Sequence, residues 1–224
     1  ERNVITANEG NAIALAAGYF FATANIPAVY MQNSGLGNCV NPLLSLADKH
    51  VFSVPMILII GWRGEPGTKD GLREQHIMQG RVTEQLLDVM EIPYKILSEA
   101  TVAEDIATLV AQAKENSAPV AFLVPNGVLT EKKKNIPDVK YPMSREEAIA
   151  VVMDNMPPDT IYAATTGRAT RELFAQREIR KESHACDFLN IGSMGHASSV
   201  AMGIALMKSN RRVVCLDGDA AALM

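Results

Sequence analysis

Four stretches of the sequence set chemically capable side chains beside glycines that let backbone approach a ligand. In Thr6-Ala-Asn-Glu-Gly-Asn, Glu9 precedes a glycine and an almost uncharged helical run. A carboxylate there either enters a pocket from a strand end, where it can hold or move a proton, or caps the helix and offsets its dipole. The local pattern favours the cap. In Gln32-Asn-Ser-Gly-Leu-Gly-Asn, amides and a hydroxyl sit between glycines, which suits either a close approach to ligand or a strand-to-helix turn with local hydrogen bonds. The third stretch, Gly61-Trp-Arg-Gly-Glu-Pro-Gly-Thr-Lys-Asp-Gly and on to His76, holds the single Trp and gathers Arg63, Lys69, Arg73 and His76. Such cations suit the oxygens of a phosphonate or carboxylate. On spacing alone, Glu65, Asp70 and Glu74 would instead pair with them as a solvated face.

The fourth constellation has three pieces: Thr165-Thr-Gly-Arg, Gly192-Ser-Met-Gly-His and Leu216-Asp-Gly-Asp-Ala. Glycines at helix N-termini expose several N–H groups, and a diphosphate is the ligand that uses two such loops together. The Asp-Gly-Asp turn adds hard oxygens of the kind Mg²⁺ shares with phosphate. Any one piece alone reads as a generic strand-to-helix turn. His196, a single loop histidine, reads as packing or capping before catalysis. Most of the eleven methionines read as core filler, whereas the glycines near Met194 would expose it towards a bound cofactor.

These loops need a scaffold that gathers strand ends, as the carboxyl edge of an open parallel sheet does. Apolar runs rich in β-branched residues alternate with segments of helical period, which signals α/β architecture. Strands are expected at 28–31, 56–60, 94–97 and 120–124, and helices at 12–23, 41–50, 79–90 and 102–116. In the last helix Val102, Ile106, Leu109, Val110 and Ala113 stripe one face. Residues 129–143 are polar and charged with two prolines, and are expected to be a linker. Ser144-Arg-Glu-Glu then reads as a capping box that starts a new helix. Strands follow at 160–164, 187–191 and 212–216, with helices near 169–176 and 197–207. The expectation is two doubly wound parallel-sheet domains, 1–128 and 144–224.

Composition narrows the function classes. The 224 residues are 48% hydrophobic and 21% charged, which excludes disorder as the main state. Twenty-one Lys plus Arg against 25 Asp plus Glu give a net charge of −4, which argues against nucleic-acid or membrane-surface partners. No apolar run, Val54 to Gly61 among them, approaches the roughly 20 residues that cross a bilayer. Cys39, Cys186 and Cys215 are odd in number and widely spaced, so a reducing, cytoplasmic location is expected. The sequence opens at Glu1 and stops at Met224 in mid-pattern, and both domains are expected to be incomplete.

Taken in order, Thr6-Ala-Asn-Glu-Gly-Asn-Ala-Ile-Ala-Leu-Ala-Ala-Gly-Tyr, Gln-Asn-Ser-Gly-Leu-Gly-Asn, Gly-Trp-Arg-Gly-Glu-Pro-Gly, Gly-Ser-Met-Gly-His-Ala and Leu-Asp-Gly-Asp resemble the phosphonopyruvate decarboxylase family. These are thiamine-diphosphate-dependent 2-oxo acid decarboxylases, closely related to sulfopyruvate decarboxylase. The resemblance implies that 1–128 binds the cofactor's pyrimidine and 144–224 its diphosphate with Mg²⁺. It makes Glu9 the catalytic glutamate that hydrogen-bonds the aminopyrimidine, against the local preference for a cap. It places Thr165, Thr166, Gly167, Gly192, Ser193, Met194, Gly195, Gly218, Asp219 and Ala220 at the cofactor, with Met194 holding it bent and Asp219 ligating the metal. Asn33, Ser34, Arg63, Lys69 and His76 are left as candidate contacts to the substrate.

The activity so implied is decarboxylation of 3-phosphonopyruvate to phosphonoacetaldehyde and CO₂, in phosphonate biosynthesis. The assembly implied is at least a homodimer with the active site between subunits. Where the family turn reads Gly-Asp-Gly, this chain has Gly218-Asp219-Ala220, so strain is expected at Ala220 if that position needs a positive φ. Two other readings stay open: sulfopyruvate decarboxylase or another thiamine-diphosphate 2-oxo acid decarboxylase, and a non-catalytic cofactor-binding or assembly subunit.

Overall fold

A computed structural model of the chain describes residues 3–129 and 141–224. The chain divides into two compact units, Glu1–Lys133 and Lys134–Met224. Most of the linker expected at 129–143 lies outside the described residues.

In the first unit four parallel strands, β1 (Ala28–Gln32), β2 (Ile57–Gly61), β3 (Tyr94–Ile96) and β4 (Val120–Val124), lie in the order β1-β2-β4-β3. Helix α1 (Glu9–Thr23) precedes β1, and α2 (Leu36–Pro42), α3 (Glu74–Val89) and α4 (Val102–Asn116) connect the strands. Ile13, Ala16 and Ala17 of α1, Leu36 and Cys39 of α2 and Leu87 of α3 bury one sheet face with Val29, Met31, Leu58 and Ile60. Leu109 and Ala113 of α4 bury the other face with Val120, Phe122 and Val124. Strand β4 is therefore buried at every position, which accounts for its unbroken apolar run.

The structure moves several expected boundaries. The helix expected at 41–50 begins at Leu36, and after Pro42 it widens into a π turn, Leu43–Ala47, instead of reaching His50. Pro42 has no N–H to continue the ladder, so the backbone finds its next bonds in a looser turn. Helix α3 starts at Glu74 and not at Gln79, because its first turn is polar and leaves no apolar period to read. Ile106, expected in the buried stripe of α4, is 41% exposed. Only the Leu109 and Ala113 side of that stripe reaches the sheet.

In the second unit α5 (Arg145–Asp154) leads into β5 (Ile161–Ala164), α6 (Arg168–Arg180), β6 (Asp187–Leu189), α7 (Ala197–Met207) and β7 (Val213–Leu216). Ser144 starts α5 through the expected box: Glu147 N–H donates to Ser144 Oγ at 3.2 Å, and Ser144 N–H donates to Glu147 Oε2 at 2.7 Å. The parallel strands lie in the order β6-β5-β7. The chain thus leaves β5 towards β6 on one side and returns to β7 on the other. Right-handed crossovers send α6 and α7 to opposite faces, which opens a crevice at the carboxyl ends of β5 and β7. Arg177 of α6 anchors β6 by donating from Nε and Nη2 to Asp187 at 3.0 and 2.8 Å, with its guanidinium 5.2 Å from the Tyr162 ring centre.

Candidate functional site

Glu9 is the first residue of α1, but the cap is Asn8, whose side chain accepts from Asn11 N–H at 2.9 Å. Relieved of capping, the half-buried Glu9 carboxylate turns to the first turn of α2, where Asn38 Nδ2 donates to Glu9 Oε2 at 3.0 Å. Gly35 makes the approach possible, because a Cβ there would overlap the carboxyl group of Glu9. Burial, and then the charge of Glu9, push the neighbouring Cys39 thiol up to about 12. Glu9 is thus held by one amide against a glycine, with no ion pair to a cation among the described residues.

Asn33 and the basic loop form one network beside it. Asn33 is 2% exposed. Its Nδ2 donates to Arg63 O at 2.8 Å and Thr83 Oγ1 at 2.8 Å, while its Oδ1 accepts from Arg63 N–H at 3.0 Å. Its amide is committed inside the protein, so it positions the Arg63 loop, whereas sequence reading placed it at the substrate. Trp62 is buried for the same purpose, with Nε1 donating to Gly80 O at 3.0 Å. Asp70 gathers the basic side chains: Arg63 Nε lies 3.1 Å from Oδ2, and His76 Nδ1 and Arg73 Nε lie 3.0 and 3.7 Å from Oδ1. Burial pushes the Asp70 carboxyl up, but the Gly64 N–H bond, Arg63 and His76 outweigh it and hold the carboxyl below its ordinary range. The pairing foreseen for Asp70 therefore forms, while Lys69 is exposed and makes no ion pair among the described residues. Ser34 Oγ donates to Gln32 Oε1 at 2.8 Å at the loop's exposed surface.

In the second unit the three loops converge at the crevice. After β5, Thr165 N–H donates to Leu216 O at 2.9 Å, and Gly167 caps α6 at φ 101° and ψ −126°, a conformation that favours glycine. Thr170 Oγ1 lies within hydrogen-bond reach of Thr165 O at 2.8 Å and Asn190 O at 3.0 Å, tying the loops after β5 and β6 together. Asn190 shapes Gly192 to Gly195 from within: its Oδ1 accepts from Gly192 N–H at 3.2 Å and its Nδ2 donates to Ser193 O at 3.3 Å. Met194 is 43% exposed on that loop. His196 Nδ1 lies 3.1 Å from Ser193 Oγ, a local contact of the kind expected for it. After β7, Asp219 and Ala220 are exposed. Ala220 has φ −69° and ψ −41°, so the strain expected of a non-glycine residue does not arise.

Comparison with known proteins agrees with this division. Residues 2–92 match the thiamine pyrophosphate enzyme N-terminal TPP binding domain, and residues 165–224 match the C-terminal TPP binding domain. The chain is 37% identical over 125 residues to sulfopyruvate decarboxylase subunit alpha of Methanocaldococcus jannaschii, covering 69% of that protein and 54% of this chain. The chain belongs to the thiamine pyrophosphate enzyme family. Along its whole length this family member is 32% identical to phosphonopyruvate decarboxylase of Streptomyces viridochromogenes, of which it spans 58%. It is also 41% identical over 66 residues to sulfopyruvate decarboxylase subunit beta of Methanothermobacter thermautotrophicus, covering 30% of this chain and 32% of that protein.

This family member leaves two polar atoms unmet where a ligand of the family would lie. Thr165 Oγ1 and Asp217 Oδ2, at the crevice, are buried with no hydrogen-bond partner. No group of three or more His, Cys, Asp or Glu able to hold a metal occurs among the described residues. Mg²⁺ bound with a diphosphate needs only one or two carboxylates, because phosphate oxygens complete its shell. Sequence reading missed Asn38, Thr83, Asn190 and Asp217. Asn38 and Thr83 meet partners 29 and 50 residues away, Asp217 Oδ2 has none, and Asn190 bonds within its own loop; only Asn38 and Asp217 stood inside stretches already singled out.

Proposed function

We propose that the complete protein decarboxylates 3-phosphonopyruvate to phosphonoacetaldehyde and CO₂, using thiamine diphosphate and Mg²⁺, within phosphonate biosynthesis. The observation that carries this reading is Glu9, held by Asn38 and Gly35 beside a loop rich in cations. Thiamine diphosphate, when bound, supplies the electron sink that a 2-oxo acid needs in order to lose CO₂. In this reading Glu9 holds the proton-linked contact to the pyrimidine ring. Thr166, Gly167, Ser193, Met194 and Gly195 present backbone N–H groups to the diphosphate from loops that Thr165 and Gly192 shape, and Met194 packs against the cofactor. Gly218, Asp219 and Ala220 form the metal turn, with Asp219 as ligand. Arg63, Lys69 and His76 face the phosphonate, with Ser34 at the rim, and Asp70 keeps Arg63 and His76 oriented. The reading also carries an assembly of at least a homodimer with a shared active site, located in the cytoplasm. Three free cysteines fit a reducing compartment, and no helix among the described residues is long and apolar enough to cross a membrane.

Sulfopyruvate is the second candidate substrate, because a sulfonate offers similar oxygens and the archaeal relatives carry that name. The reading as a non-catalytic subunit loses one of its supports, since Ala220 is unstrained. Incubating the complete protein with thiamine diphosphate, Mg²⁺ and each acid, and comparing kcat/KM for aldehyde formation, decides among them. Higher efficiency on phosphonopyruvate is expected. Preference for the sulfonate would change the substrate, and no product from either acid at saturating cofactor would overturn the activity.

A further inference from the structure

Among the described residues, the buried side-chain oxygens and nitrogens without a hydrogen-bond partner belong to Thr160, Thr165, His184 and Asp217. Thr160 lies at the amino end of β5 and His184 in the connection between α6 and β6, away from the crevice. The other two belong to residues at the carboxyl ends of β5 and β7. Strands β5 and β7 pair with Ala164 opposite Leu216, so Thr165 and Asp217 are the next residues on adjacent parallel strands. Thr165 is 6% exposed.

The two oxygens of Asp217 have different surroundings. Oδ1 accepts from Gly218 N–H at 3.0 Å and so shapes the turn that carries Asp219. Oδ2 is buried and unpartnered, as is the hydroxyl of Thr165 at the end of the adjacent strand. An ionised carboxylate oxygen only accepts hydrogen bonds, and it is costly to bury unless something cationic or proton-donating meets it. A bare diphosphate would repel it. A hydrated divalent cation satisfies both groups, since its waters donate to a carboxylate and can also bond a hydroxyl.

We propose that Asp217, with Thr165, is a positioning residue for the cation that accompanies the diphosphate: Oδ1 sets the turn bearing Asp219 and Oδ2 receives the cation's hydration shell. This rests on the diphosphate and Mg²⁺ reading given above. Outer-shell groups of this kind change metal affinity ten- to a hundred-fold when removed.

The test compares the complete protein with its Asp217→Asn and Thr165→Val variants. Two readouts are needed: the Mg²⁺ concentration that half-saturates thiamine diphosphate binding by calorimetry, and the thermal midpoint without metal or cofactor. Asp217→Asn is expected to raise the Mg²⁺ requirement about tenfold or more, with a metal-free midpoint equal to or above that of the parent. Thr165→Val is expected to shift the requirement the same way by a smaller factor, and it decides the matter if Asp217→Asn does not fold. An unchanged Mg²⁺ requirement, whatever the midpoint does, overturns the proposal and leaves the parent's cofactor reading intact. Failure of the parent itself to bind thiamine diphosphate with Mg²⁺ overturns both.

Discussion

Asn38 Nδ2 donates to Glu9 Oε2 at 3.0 Å across 29 residues of sequence, and it holds a glutamate that does not cap α1. Asn8 does the capping in its place, so the Glu9 carboxylate is available to a ligand at the end of β1.

Replacing Glu9 with Gln keeps its shape and removes its charge and its capacity to move a proton. Turnover of the complete protein is expected to fall about 10²- to 10⁴-fold, the usual worth of a positioned proton-transfer group, with the far-ultraviolet circular dichroism unchanged. Asn38→Ala should cause a smaller loss. Full activity in the Gln variant would remove Glu9 from the chemistry.

Asn33 divides a positioning role from a contact role. Asn33→Ala leaves the buried Arg63 N–H and other partners unmet, so urea unfolding should show a loss of about 1–3 kcal/mol. A contact to substrate would instead raise KM in a protein of parental stability.

The carboxyl of Asp70 is held below its ordinary value of 3.8 in the folded chain. A carboxylate depressed on folding contributes stability above its unfolded value, and that contribution is lost as pH falls through the folded value. The stability difference between the parent and Asp70→Asn should therefore be constant above about pH 5 and shrink below about pH 4. Urea midpoints across that range check it, and a difference that did not change with pH would contradict it.

Arg177 and Asp187 are a buried pair, with side chains 8% and 0% exposed. Arg177→Met should cost about 3–5 kcal/mol, because it strands the Asp187 charge in the interior. Adding Asp187→Asn should restore part of the loss, measured by thermal or urea unfolding. If the double variant is as unstable as the sum of the singles, the pair is not coupled.

The sequence by itself determined the alternation of strands and helices, the capping box at Ser144 and the glycine loops at strand ends. Each of these depends on neighbours within a few residues: apolar period, turn chemistry and φ preference are local properties. It left the start of α3 unseen, because the first turn there is polar, and it overran α2, because the consequence of Pro42 is a wider turn and not a simple stop. The polar residues divided in the same way. Asn33 and Glu9 looked alike as candidates, yet Asn33 is consumed by Thr83, 50 residues away, while Glu9 is spared by its neighbour Asn8. Asp70 looked like one charge in a run and is the centre of two arginines and a histidine. Asp217 and Thr165 are left without partners, which emerges only once β5 and β7 lie side by side. Whether a polar group serves the fold or a ligand depends on which distant atoms already satisfy it. Tertiary structure alone decides that, because hydrogen bonds and ion pairs form between atoms close in space whatever their separation along the chain.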